Sequence, residues 1–230
     1  MRRRAKAGKR SRFFIIDFDS TFARVEALDE LAAISLNGNK RKESILKEIK
    51  DITNIGMEGK ISIDESLERR VVLLHANKKH LEALVKLLKK NVTPSFARNK
   101  EFLKEYARNI FILSAGFKEL IVPVVRQFGI LEENVFANNF LFDKIGNIIG
   151  FDKENILAKK GGKVSKLKEL KLRGDVYAIG DGYTDYELRE SGLATKFFAF
   201  TENVARNAVI EKADHVVPTF DEFLRVIRAS

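Results

Sequence analysis

Five short apolar runs stand out along the chain: Phe13-Phe14-Ile15-Ile16, Asn109 to Leu113, Val176 to Ile179, Lys196 to Phe200 and His215 to Val217. Each is continuous rather than alternating, the pattern of a strand covered on both faces. Helical stretches separate the later four, so the chain predicts an α/β fold: a Rossmann-like parallel sheet with helices on both faces. The segment between the first two runs reads differently. Val25 to Leu36 predicts a helix, and a charge-rich helical stretch continues to about Asn91, with Ile63, Leu67, Val71 and Leu74, then Leu81, Leu84, Val85 and Leu88, recurring at helical spacing. Thr93-Pro94 ends that rhythm. Further on, "FLFDKIGNIIGF" over 140–151 predicts a hairpin.

These patterns divide the chain into a basic tail at 1–11, an α/β core at 12–27 and 93–230, and an inserted helical bundle at 28–92. The insertion follows the loop after the first strand, so it is expected to lie over that strand's end as a cap, which suits chemistry that must exclude water.

Length and composition narrow the picture. A chain of 230 residues can bury one α/β core and a small accessory domain. It has no cysteine, which excludes disulfides and thiolate zinc sites. The longest apolar runs, such as Leu120 to Val125, fall far short of the ~18 residues of a membrane span. A soluble, cytoplasmic protein with no membrane partner is expected, as monomer or homodimer. The net charge is +10, and seven basic residues between Arg2 and Arg12 supply most of it, leaving +3 elsewhere (10 less 7). Such a tail could engage nucleic acid or an anionic surface, or simply be solvated.

Chemistry concentrates where the apolar runs stop. Asp17 and Asp19 follow the first, at the end of a parallel strand where open α/β sheets bind ligands; strand alternation would aim both into one pocket, although Asp also serves in turns and caps. Ser114, Ala115 and Gly116 close the second run. A helix starting there would offer N–H groups to phosphate, but an ordinary strand-to-helix turn reads the same. "GDGYTD" places Asp181 between glycines with Asp185 four residues on. Three aspartates converging on one mouth call for a hard cation such as Mg²⁺. Lys163 follows two glycines and would be a useful fixed cation beside them.

In this order these motifs resemble those of the haloacid-dehalogenase-like phosphohydrolases, from Phe14 to the C-terminus. The resemblance narrows to the phosphoserine phosphatase family through Asp17-Phe18-Asp19-Ser20-Thr21, Glu26, Met57-Glu58-Gly59-Lys60, Ser66-Leu67-Glu68-Arg69-Arg70-Val71, Ser114-Ala115-Gly116-Phe117, Lys163 and Gly180 to Asp185. It implies that Asp17 is a nucleophile and Asp19 a general acid/base, and that Mg²⁺ is held by Asp17, the Asp19 main chain and Asp181, with Asp185 in support. It also implies phosphoryl contacts from Ser114, the Gly116 N–H and Lys163, further substrate contacts from Ala115 and Thr184, an ammonium site at Glu26, a carboxylate site at Arg70 and an apolar wall at Met57. The activity implied is hydrolysis of O-phospho-L-serine, the last step of serine biosynthesis. Action on another small phosphomonoester, transfer to an alcohol such as homoserine, and a non-catalytic nucleic-acid protein are the alternatives. Two departures stand out. Ala115 replaces a family glycine, at a cost of about 1 kcal/mol if the position needs positive φ. Ile63 stands where many members carry an aromatic residue.

Overall fold

The computed structural model describes residues 11–229, so all of the basic tail except Ser11 lies outside the described residues. Arg12–Ile16 (β1) is an interior strand because its apolar run finds cover on both faces and parallel partners on both edges. A wide turn over Phe18–Phe22 follows, closed by the Ala23 N–H donating to the Phe18 carbonyl at 2.8 Å. Four helices come next: Ala27–Ser35 (α1), Lys42–Met57 (α2), Ile63–Val71 (α3) and Lys78–Lys90 (α4). The chain then runs through Pro94–Arg98 (α5), Lys100–Glu105 (α6), Ile110–Phe117 (β2), Lys118–Val125 (α7) and Val135–Asn138 (β3). Phe140–Phe142 (β4) and Ile148–Phe151 (β5) form the hairpin. Gly162–Leu170 (α8), Asp175–Gly180 (β6), Tyr183–Glu190 (α9), Lys196–Phe200 (β7), Asn207–Ile210 (α10), His215–Val217 (β8) and Phe220–Ala229 (α11) complete it.

Six strands make one parallel sheet in the order β3-β2-β1-β6-β7-β8. The chain builds outward from β1 through β2 to β3, then returns to lay β6 on the other side of β1. That reversal opens a crevice at the carboxyl ends of β1 and β6. An apolar layer covers each face. On one, Phe14 and Ile16 pack with Leu31, Leu84, Val124 and Phe223 from α1, α4, α7 and α11; on the other, Ile15 packs with Leu167 and Leu188 from α8 and α9. Phe14 sits among the rings of Phe102, Tyr106, Tyr177 and Phe223, which anchors β1 at the centre of the sheet.

The helical rhythm between β1 and β2 becomes α2, α3 and α4. The start of α4 is set by Asn77, whose side chain accepts from the N–H groups of Lys79 and His80 while His80 Nδ1 accepts from the Asn77 N–H. Its Leu81, Leu84 and Leu88 join the same apolar cluster as β1, so α4 is fastened to the sheet's cover rather than standing apart. Two differences from expectation concern the sheet. β3 was not among the expected strands, being a four-residue edge strand without a long apolar run. The second strand also continues beyond Leu113 to Phe117, so the helix starts at Lys118 and Ser114 lies within the strand. Among the described residues no helix is long and apolar enough to cross a membrane.

Candidate active site

Asp17 still belongs to the ladder, its N–H donating to the Ile179 carbonyl at 3.0 Å. Beyond it the chain turns. Phe18 opens the wide turn, so the pleat does not align Asp17 with Asp19; the turn does. Asp19 stays extended (φ −66, ψ 138) and Ser20 takes the left-handed conformation (φ 53), unusual for a residue with a Cβ. Local bonds hold that bend: Ser20 Oγ donates to Glu26 Oε1 at 2.6 Å, and Asp19 Oδ1 accepts the Ala27 N–H at 2.8 Å. Asp17, Asp19 and Glu26 consequently line one cleft.

Facing them, Ser114 Oγ accepts the Gly116 N–H at 2.9 Å within β2. Neither Ala115 nor Gly116 has positive φ, so the Cβ of Ala115 adds no backbone strain. Gly116 is required for a different reason: a Cβ there would come within 2.9 Å of Asp19 Oδ2 and 3.1 Å of Ser114 Oγ. From α8, buried Lys163 reaches Asp17 Oδ1 at 3.0 Å and Asp185 Oδ1 at 2.7 Å. Ser114, Ala115, Gly116, Lys163 and Thr184 line the cleft, while Asp181 and Asp185 are buried behind it, and the carboxylates of Asp17, Asp181 and Asp185 offer oxygens within 4.8 Å of one another.

The remaining wall comes from the inserted helices. Met57, at the end of α2, touches the Gly-Asp-Gly turn, where a Cβ on Gly182 would meet its sulfur at 3.3 Å. Arg70 on α3 is buried, and among the described residues its guanidinium donates only to the Ser66 carbonyl and the Thr53 hydroxyl. Among the described residues no carboxylate comes within ion-pair distance, 4.0 Å, of it. Leu28, Thr53, Ile63 and Ser66 complete this side.

A model of the haloacid dehalogenase-like hydrolases matches residues 14–190. The chain belongs to that family. Its relatives include the chloroplastic phosphoserine phosphatase of Arabidopsis thaliana, 30% identical over 212 residues that cover 90% of this chain and 69% of the relative. Among solved structures, a phosphoserine phosphohydrolase-like protein from Francisella tularensis superposes with a TM-score of 0.85 at 33% identity, covering 94% of this chain and 100% of that one. A phosphoserine phosphatase solved as a phospho-aspartyl intermediate analogue gives a TM-score of 0.71 at 25% identity, covering 95% and 98%.

Sequence reading of this hydrolase missed Arg206. It follows β7, lies against Asp181, and approaches Glu26 at 3.7 Å. A lone arginine in an irregular loop carries no periodic signal. Thr21, in the motif that follows β1, also supports this acid: its Oγ1 donates to Asp181 Oδ1 at 2.9 Å. With Arg206 included, five acids (Asp17, Asp19, Glu26, Asp181, Asp185) face three bases (Lys163, Arg70, Arg206), two positive charges short of balance when all are ionised. Buried carboxylate oxygens with that deficit fit a hard divalent cation.

The same deficit acts on proton affinity. Burial and the Asp17 charge push Asp185 up to about 7, against the pull of Lys163 and the Gly182 N–H. Burial likewise raises Glu26, and burial with Glu26 raises Asp19 well above the ordinary range. Folded pKa values above the unfolded ones give stability that is complete below about pH 4 and is lost as pH rises through the folded values. The metal-free hydrolase is expected to melt several degrees lower at pH 8 than at pH 5, with added Mg²⁺ restoring more at pH 8. A melting temperature that climbs with pH in calorimetry would contradict this.

Proposed function

We propose that this hydrolase converts O-phospho-L-serine and water to L-serine and phosphate, working in the cytoplasm. The observation that carries the reading is Arg70: a buried guanidinium with no carboxylate partner among the described residues, lining the same cleft as Glu26 and Asp17. A substrate with a carboxylate, an ammonium and a phosphate would meet Arg70, Glu26 and the groups around Asp17 respectively. The phosphoserine phosphatases among the relatives support it.

In the proposed chemistry an Asp17 carboxylate oxygen attacks phosphorus, the bond from phosphorus to the serine oxygen breaks, and Asp19 gives that oxygen its proton. The raised pKa of Asp19 supports the acid role. Asp19 then takes a proton from water as it attacks the aspartyl-phosphate, releasing phosphate and restoring Asp17. Ser114, Gly116, Thr184 and Lys163 would hold the phosphoryl oxygens, the Gly116 N–H leaving Ser114 Oγ to do so. Mg²⁺ held by the carboxylates of Asp17 and Asp181 and the Asp19 carbonyl, with Asp185 in support, would neutralise charge on the transferring group. Within residues 28–92, α2 and α3 would act as the cap, since Met57 lies close enough to the Gly-Asp-Gly turn that a Cβ on Gly182 would meet its sulfur, whereas α1 and α4 cover the sheet.

Phosphate release from phosphoserine, phosphothreonine, phosphoethanolamine and an aryl phosphate, with and without Mg²⁺, tests this directly. Arg70→Ala is expected to lower kcat/KM for phosphoserine about 10²-fold, the weight of a charge-assisted bidentate contact, and to cost the aryl phosphate far less. Equal losses on both would sink the phosphoserine assignment, and phosphate passed to added homoserine would replace hydrolysis with transfer.

A further inference from the structure

Arg70 is mounted on two neutral acceptors. Its Nε–H donates to the Ser66 carbonyl one turn earlier on α3, and NH1 donates to Thr53 Oγ1 on α2, each at 3.2 Å. Two of the guanidinium's five N–H groups are thus committed among the described residues, which leaves three for a ligand. Thr53 in turn has one hydroxyl proton and two acceptors in reach: Asp29 Oδ1 on α1 at 2.9 Å and the Ile49 carbonyl at 3.0 Å. The carboxylate is the stronger acceptor. With the proton pointed at Asp29, the oxygen's lone pairs face Arg70, so one directed chain links α3, α2 and α1.

The hydroxyl does something a direct ion pair could not. Had Asp29 met Arg70 itself, the carboxylate would occupy the donor fork and cancel its charge. With Thr53 between them, Arg70 is oriented by a polarised hydroxyl yet keeps its charge and its outer donors free. Thr53 is 2% exposed, so water does not compete for that contact. Sequence reading gives no hint of the link, since Asp29, Thr53 and Arg70 lie 24 and 17 residues apart on three helices.

We infer that Thr53, polarised by Asp29, is the positioning residue that presents Arg70 to the carboxylate of the substrate. The inference rests on the phosphoserine reading. Thr53→Val keeps the shape and removes the hydroxyl, and Thr53→Ser keeps the hydroxyl. The readout is the ratio of kcat/KM for phosphoserine to that for phosphoethanolamine, which lacks the carboxylate. Thr53→Val is expected to lower this ratio about tenfold, chiefly through KM, as loss of a hydrogen bond to a charged group does. Thr53→Ser should hold it within about twofold, and Asp29→Asn should cost less than Thr53→Val because the Ile49 carbonyl can still take the proton. In an Arg70→Ala background Thr53→Val should lower the ratio no further, since the two act as one unit. A wild-type preference for phosphoserine that Thr53→Val leaves unchanged, with equal loss on both substrates, overturns this inference alone. A wild type that does not prefer phosphoserine overturns the substrate reading and this inference with it. Thr53→Ser behaving like Thr53→Val would assign the effect to packing and also overturn it.

Discussion

Asp17→Asn is expected to lower phosphoserine turnover by about 10⁴-fold or more, the scale seen when a nucleophile is removed. Asparagine has nearly the same volume, but its amide oxygen is a poor nucleophile towards phosphorus and gives up the charge that Lys163 faces. The scaffold should survive. Lys163 keeps Asp185 at 2.7 Å, and the Asp17 main chain stays bonded to the Ile179 carbonyl at 3.0 Å. The cleft would still bind substrate, so KM should move much less than kcat. Rapid-quench detection of phosphorylated protein provides the second check: present in wild type, absent in the variant. A variant keeping even a hundredth of wild-type turnover would remove Asp17 from the nucleophile's role and leave the buried Asp17–Lys163 pair as a structural feature.

How much of this could be read in the chain follows from how far apart the interacting residues lie. Interior strands were legible because a run such as Phe13 to Ile16 has little use other than to be covered on both faces. Strand ends were legible too, since a carboxylate after such a run must leave the sheet where the crevice lies. β3 was not, because Val-Phe-Ala-Asn at a sheet edge is too short to stand above its surroundings. Turn conformation was not legible. The condition under which Ala115 would carry strain, a positive φ, is not met, and the left-handed residue of the site is Ser20, held by Glu26. Gly116 is the glycine that matters, because of its closeness to Asp19 rather than its dihedral freedom. Contacts across long separations were invisible. Arg206 meets Asp181 from 25 residues away, and Asn203 donates to the Ser20 carbonyl from 183 away. No local periodicity joins such partners; the reversal of strand order between β1 and β6 does.

Lys163→Met carries the other large expected effect, and it acts on stability and turnover through one cause. Burial alone would lower the pKa of this lysine, but Asp17 and Asp185 more than offset that and hold it above the ordinary value, so the cation is fully present at neutral pH. Removing it leaves two buried carboxylates without their shared partner, a loss of about 3–5 kcal/mol for breaking a buried pair. The loss should depend on pH. At pH 5 Asp185, already raised by burial, can take up a proton and the deficit shrinks; at pH 8 it must ionise without its partner and the deficit is largest. Melting temperatures of variant and wild type at the two pH values measure this difference, and an equal deficit at both would show that Lys163 supports the fold by packing its stem rather than by charge. Turnover is expected to fall about 10³-fold, as when a preorganised donor is taken from a developing charge. Charge balance explains why one residue governs both. With an anionic phosphoryl group in the cleft, Lys163 offsets negative charge on the substrate as well as on Asp17, so it reduces the repulsion between the two reacting groups. A variant that regains wild-type stability at pH 5 and still turns over a thousand times more slowly there would separate that catalytic contribution from the folding one.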